Sequence, residues 1–239
     1  MAQPYAIVSC HVERLLDDRT WAAFSSMQER RPGGFEIAAL LRPPDPEAGE
    51  DEQLWVARAR QAADRGPLGL HTHWGGAEQA RPLGGDPAER VRAEVSWLQE
   101  RGFQTRLFCG GGWYMDEGVA RTLAELGYTD CTATAFRPSY LQSGARRLSL
   151  GAPARVRLDA MTFLEIPATH SLGMAVRSAF GRLPEYVHVY FHDTDLLQPR
   201  RRRALALALA VLGRRCRRGR LDRLETNAEV EFAQAASSV

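Results

Sequence analysis

Short apolar runs alternate with amphipathic stretches about seven times along this chain, and that rhythm limits its fold more than any other feature. Tyr5–Cys10 (YAIVSC), Phe35–Leu41, Pro67–His71, Thr105–Cys109, Tyr128–Thr134, a run near Phe163–Ile166 and Tyr186–Phe191 (YVHVYF) read as strands. Between them, Asp17–Arg30, Gln53–Asp64, the stretch from Asp86 to about Arg101, Asp116–Leu126, Gly173–Arg182 and Pro199–Gly213 read as helices, and Arg220–Thr226 as a last short strand. Several helix starts carry an Asp whose side chain can accept from the first-turn N–H groups. Strands that are apolar throughout are buried on both faces, and parallel neighbours need a crossover of helix length. The pattern therefore predicts an α/β fold: a distorted (β/α) barrel of about seven parallel strands. The 239 residues suit one domain over 1–239, long enough to bury a core without disulfides.

In such folds chemistry sits at the carboxyl ends of the strands. Four of the six histidines fall there: His11 after the first strand, His71 and His73 after the third, His192 after YVHVYF. In His71-Thr72-His73 two imidazoles lie on one side of an extended segment, where they can clasp one divalent cation, zinc above all. As isolated text the same motif also suits two polar loop histidines. His11 and Glu13 repeat the spacing, and a third imidazole or a carboxylate would complete a three-ligand site with one open position. Glu13 can instead pair with Arg14 or Arg19 on a solvated loop. His192 ends a hydrophobic strand and is placed to donate a proton, with Asp193 or Asp195 setting its tautomer. His188, four residues earlier on the same face, reads as a hydrogen-bonded core residue. His170 suits a loop or a pocket wall equally.

Composition removes other chemistries. The 31 basic residues are all arginine, so no Lys serves as Schiff base, phosphate-loop cation or general base. The glycine run Gly110–Gly112 lacks the rest of a phosphate loop and is read as a tight turn or a close backbone approach to ligand. A net charge of +2 argues against a general nucleic-acid binder. The arginines at Arg200–Arg203 and Arg214–Arg220 are read as solvated ends of a helix. Cys10, Cys109, Cys131 and Cys216 form no CxxC pair. The apolar run Ala204–Leu212 is too short for a bilayer span, and the first residues have no cationic n-region, so a cytoplasmic protein is expected.

The order of these motifs resembles the NodB-type polysaccharide deacetylases, the fourth family of carbohydrate esterases. LGLHTHWGG resembles the histidine motif of their divergent branches, RTLAELGYTDCTAT the helix after their third motif, and HVYFHDTDLL their last motif. The resemblance covers about residues 5 to 226. It implies a distorted barrel, a divalent metal (often zinc) held by an acid and two histidines, a carboxylate acting as base and a His acting as acid. Carried across, His71 and His73 match the metal histidines and His192 the acid. The first motif normally has two adjacent aspartates where this chain has His11-Val12-Glu13, so His11 is taken as third ligand and Glu13 as base or ligand. The typical second ligand spacing of four falls here on Gly75, and Cys109 with three glycines replaces an Arg-Pro motif. Trp74, Gly111, Trp113 and Asp193 are the positions expected to contact substrate.

The reading is thus a metal-dependent hydrolase that removes acetyl from an N- or O-acetylated sugar or glycosylated metabolite. It expects no nucleic-acid partner and leaves the oligomeric state open. A family relative serving only as a binding domain is the first alternative. The second is a phosphoesterase of the PHP type, whose first motif HTH resembles but which places it near the N-terminus and needs more downstream histidines.

Overall fold

The computed structural model describes residues 5–76, 78–139, 141, 144–219 and 222–223. The strands are β1 (Tyr5–Val12), β2 (Ala38–Leu41), β3 (Leu68–Thr72), β4 (Leu107–Gly110), β5 (Thr129–Asp130), β6 (Ala154–Leu158), β7 (Met161–Glu165), β8 (His170–Ser171), β9 (Tyr186–His192) and β10 (Asp222–Arg223). The helices are α1 (Asp18–Arg30), α2 (Glu52–Ala63), α3 (Pro87–Glu100), α4 (Glu117–Leu126), α5 (Leu172–Ser178) and α6 (Pro199–Arg217). The first four open on an aspartate whose carboxylate accepts first-turn N–H groups: Asp17 from Thr20, Asp51 from Leu54, Asp86 from Ala88 and Glu89, Asp116 from Val119. Gly127 ends α4 at φ 70°, a left-handed position that suits glycine.

The strands form one curled sheet in the order β6-β7-β5-β4-β3-β2-β1-β9-β8, with β10 beside the start of β1. Every pairing is parallel except β6 with β7. The stretch after β7 draws the ends together. Ile166 and Ala168 donate their N–H groups to Asp130 and Ala133 on one side, at 2.8 Å each, and Thr169 donates to His188 on the other at 3.2 Å. The result is a distorted, mostly parallel (β/α) barrel.

Strand parity sorts the side chains into two layers. Ala6, Val8, Cys10, Leu70, Phe108, Val187, Val189 and Phe191 pack under the helices in the larger core cluster. Ile7, Leu40, Leu107, Cys109, Cys131, Ile166, Ala168 and Tyr186 fill the barrel interior. His188 also points inward and is buried as expected. It contacts Ser9 Oγ at 2.7 Å and the Ile166 carbonyl at 3.1 Å, and burial lowers its pKa to about 4.

Several expected elements differ. β5 has only two residues: the Cys131 N–H still bonds the Phe108 carbonyl at 2.7 Å, but the next two backbone donors turn to side chains. Thr132 N–H bonds Asp130 Oδ1 at 3.0 Å and Ala133 N–H bonds Glu165 Oε1 at 3.0 Å. Asp130 and Glu165 face each other across β5 and β7, both wholly buried. Burial pushes both carboxyls up, Glu165 the further because Asp130 lies beside it, so Glu165 holds the proton and donates it to Asp130. β6 was not anticipated. Its ARVRL alternation leaves Arg155 and Arg157 exposed on the edge of the sheet. The expected strand at Phe35–Leu41 starts only at Ala38, and α5 stops at Ser178. His170 is buried on the short strand β8, beside His188, and is not in a loop. Of the expected Arg220–Thr226 strand, Asp222–Arg223 pairs with β1 and the rest lies outside the described residues.

Candidate functional site

Inward parity places four histidines and one carboxylate at the same mouth of the barrel. His11 is directly opposite His192 in the β1–β9 register, and β3 carries His71 on the adjoining side of β2. Glu13 follows two residues after His11 and turns over the mouth. Its Oε1 lies 3.3 Å from His73 Nε2, 3.4 Å from His71 Nε2 and 3.6 Å from His192 Nε2. Burial opposes the charged carboxylate, but the bonds from His71 and His73 outweigh it and hold Glu13 well below the usual carboxylate range.

The three histidines nearest the interior are each almost wholly buried. Burial lowers the pKa of His71, with Glu13 opposing the shift, and lowers that of His11 further with help from the neighbouring imidazoles, so His11 is neutral near pH 7. The Nδ1 of His71 is 2.9 Å from the Cys109 carbonyl. The carbonyl accepts from Nδ1, so Nε2 faces Glu13, donating to it when protonated and free to ligate a cation when not. His11 lies on the other side of His71, with ring centres 4.5 Å apart: its Nε2 is 3.5 Å from Cys109 Sγ, and its ring lies 5.3 Å from both Trp113 and Tyr190.

Two donor sets are therefore close enough to share an ion: Glu13, His71 and His73, and the fully buried His11, His71 and Cys109. The first fits a divalent cation better. Separations of 3.3–3.4 Å between its carboxylate oxygen and its two nitrogens match the edge of a tetrahedron around an ion about 2.0–2.1 Å from each ligand. The carbonyl behind His71 is the outer partner that ligating histidines normally have. The second set includes a thiol whose pKa burial pushes well up, away from the thiolate that a metal needs.

A cleft of about 270 Å³ opens over this group, lined by His11, Glu13, His71, Trp113, His192 and the loop Gln79–Arg81, with Gly110 and Gly112 as its floor. The glycines are required by close approach. A Cβ on Gly110 would meet the Tyr114 carbonyl at 2.3 Å, and one on Gly111 the Thr72 and Ala80 carbonyls at 2.6 Å. Gly112, at φ 59°, has the Arg81 stem lying across it. Trp113 follows in the left-handed region at φ 58° and packs edge-on against Tyr190, which stacks on Phe136.

Of the residues singled out in the sequence, His11, Glu13, His71, His192 and Trp113 line this cleft, and His73 reaches it through Glu13. Trp74 lies behind the floor and donates its indole N–H to the Gly111 carbonyl at 3.2 Å. Gly111 is buried beneath Thr72 and Ala80. Asp193 is buried too. It accepts N–H bonds from Arg14 and Thr194 at 2.8 Å each, tying the end of β1 to the end of β9. Burial raises its pKa to about 7. Gln79, Arg81 and Tyr190 were not anticipated. The first two sit in an irregular loop, where no periodicity marks them; Tyr190 was legible, being two residues from His192 on the same strand face.

No family model matches the chain, and no curated protein matches it. Solved structures do match its fold. A protein from Mycobacterium smegmatis described as a polysaccharide deacetylase superposes with a TM-score of 0.64 at 13% identity, covering 99% of this chain and 92% of that one. One from Bordetella bronchiseptica, described as a polysaccharide deacetylase involved in O-antigen biosynthesis, gives 0.51 at 11% identity, covering 100% and 92%. A 4-alpha-glucanotransferase from Thermococcus litoralis gives 0.59 at 11% identity, and this chain spans 40% of its length. The chain thus has the fold of NodB-like polysaccharide deacetylases. The glucanotransferase shows that this barrel also serves other carbohydrate chemistry, so function must be argued from the site. Among the described residues no helix is long and apolar enough to cross a membrane.

Proposed function

We propose that this protein is a metal-dependent hydrolase that removes an acetyl group from an acetylated sugar. The observation that carries the reading is the convergence of Glu13, His71 and His73 on one point at the strand ends, with His192 facing the same carboxylate oxygen. Glu13, His71 and His73 would hold the cation, and zinc suits this donor set. Once bound, the ion would polarise the acyl oxygen and lower the pKa of water toward neutrality.

The remaining roles belong to the chain. Glu13 presents Oε1 to the imidazoles, and its second oxygen would take the proton from the attacking water. His192 stands at the cleft wall, where its Nε2 protonates the departing amine or alkoxide as the acyl bond breaks. Its backbone N–H is fixed by Asp195 Oδ2 at 3.1 Å, and Asp195 is itself held by Arg201. Asp193 positions Glu13 by anchoring the next residue, Arg14. Trp113, backed edge-on by Tyr190, supplies the aromatic wall on which a sugar ring packs.

The test pairs metal analysis with acetate release. Purified protein should hold close to one zinc per chain and free acetate from at least one member of a panel of N- and O-acetylated sugars. Protein that neither retains a divalent ion after dialysis nor releases acetate from any panel member refutes the reading.

A further inference from the structure

The cleft holds two opposite charges that do not pair with each other among the described residues. Glu13 is its one carboxylate among the described residues, and three imidazoles surround it. Its one guanidinium, Arg81, has no carboxylate within ion-pair distance among the described residues. Arg81 is nevertheless held firmly. Its stem crosses Gly112, Nη1 donates to the Gly112 carbonyl at 2.5 Å, Nη2 donates to the Arg146 carbonyl at 3.0 Å, and the group lies 5.3 Å from the centre of the Tyr114 ring.

These contacts orient the cation without neutralising it. A guanidinium has five N–H donors, and two are engaged here. The rest of the rim adds no compensating acid. Glu78 is taken by Arg14 at 3.0 Å, and Asp116 accepts the Tyr114 hydroxyl at 2.6 Å and the Val119 N–H of the α4 cap. The neighbouring Arg146 is exposed, and Arg147 donates to Thr134 Oγ1 and the Phe136 carbonyl. A fixed, uncompensated arginine beside a reaction centre is an anion receptor, because its remaining donors match the paired oxygens of a phosphate or carboxylate.

We propose that the cleft selects acetylated sugars carrying an anionic group, a phosphate or a carboxylate, which Arg81 receives from its seat on the glycine floor. This rests on the deacetylase reading of the same cleft and adds the charge of its substrate. The three glycines then have a purpose beyond a tight turn: a side chain at Gly112 would displace the Arg81 stem.

The experiment is calorimetric titration of the full chain with N-acetylglucosamine, its 1- and 6-phosphates, and N-acetylmuramic acid, with acetate release measured in parallel. At least one anionic sugar should bind about 10- to 100-fold more tightly than the neutral one, as expected for a hydrogen bond to a charged group. The preference should shrink as salt is raised. Arg81→Met should abolish it, and Arg81→Lys, which restores charge without the fork, should recover part of it. Preference for the phosphates alone assigns the subsite to phosphate, and for the muramic acid alone to carboxylate. Equal affinity for neutral and anionic sugars, a preference that survives Arg81→Met, or binding by none of the four overturns the proposal. An Arg81-dependent preference with no acetate released by any sugar supports the anion site and refutes the reaction instead.

Discussion

Glu165→Gln removes the proton that Glu165 holds between two buried carboxyls and replaces it with an amide hydrogen. In the native chain Asp130 Oδ1 accepts from the Thr132 backbone N–H at 3.0 Å and the Thr132 hydroxyl at 2.6 Å, while Glu165 Oε1 accepts from Ala133. Asp130 Oδ2 and Glu165 Oε2 are buried, and the shared proton lies between these two residues. Glutamine keeps the Ala133 bond through its carbonyl and donates to Asp130 through its NH₂, so stability near pH 5 should change by under about 1 kcal/mol. The two chains should diverge as pH rises. Burial and Asp130 raise the folded-state pKa of Glu165 above its unfolded value, so its contribution is complete below the unfolded pKa and is lost on the way up to the folded pKa. Within that window the native chain should lose stability with each rise in pH relative to the glutamine variant, at up to about 1.4 kcal/mol per pH unit. Urea unfolding of both chains at pH 5, 6, 7, 8 and 9 measures the difference, and the pH at which it stops growing reads the folded pKa. Glu165→Ala serves as the contrast. It strands Asp130 Oδ2 and the Ala133 N–H and should cost about 2–5 kcal/mol. A native-minus-glutamine difference that stays flat from pH 5 to pH 9 would refute the shared proton.

The other predictions are more direct. His73→Ala should lose bound metal and activity together, whereas His192→Ala should keep the metal and slow acetate release about 10²–10⁴-fold; loss of metal from the second but not the first would reverse the assigned roles. Gly112→Ala puts a Cβ 2.3 Å from Arg81 Cγ at a left-handed backbone position, and should lower stability by about 1–2 kcal/mol while weakening anionic sugars more than neutral ones. An unchanged melting temperature and unchanged sugar selectivity would count against the role of the glycine floor. Asp51→Ala removes the single side-chain bond capping α2, at 3.0 Å to Leu54, and should cost about 1 kcal/mol in chemical denaturation with no effect on metal content.

Much of the architecture was readable because it depends on local patterns. Continuous apolar runs such as YVHVYF select buried parallel strands, and an Asp ahead of each of the first four helices terminates the preceding loop by chemistry confined to one turn. The placing of His11, His71 and His192 at one mouth also follows from local information, since parity and strand ends are properties of the chain itself. Features that depend on partners far away in sequence were not readable. β5 ends at Asp130, and the Ala133 N–H beyond it goes to the carboxyl of Glu165, 32 positions later, and not to a neighbouring strand.

The ligand question divides in the same way. The sequence by itself presented His11, Glu13, His71 and His73 as a set and could not separate their roles, because spacing along a strand sets the face of a side chain and not its reach. Tertiary structure decided that Glu13 meets His71 and His73 within 3.3–3.4 Å while His11 turns to Cys109, and that Arg81, from a loop with no pattern, stands uncompensated beside them. Periodicity is set by backbone geometry one residue at a time. Donor distances and the pairing of charges are set by how separate strands and loops pack, and that information resides in the fold.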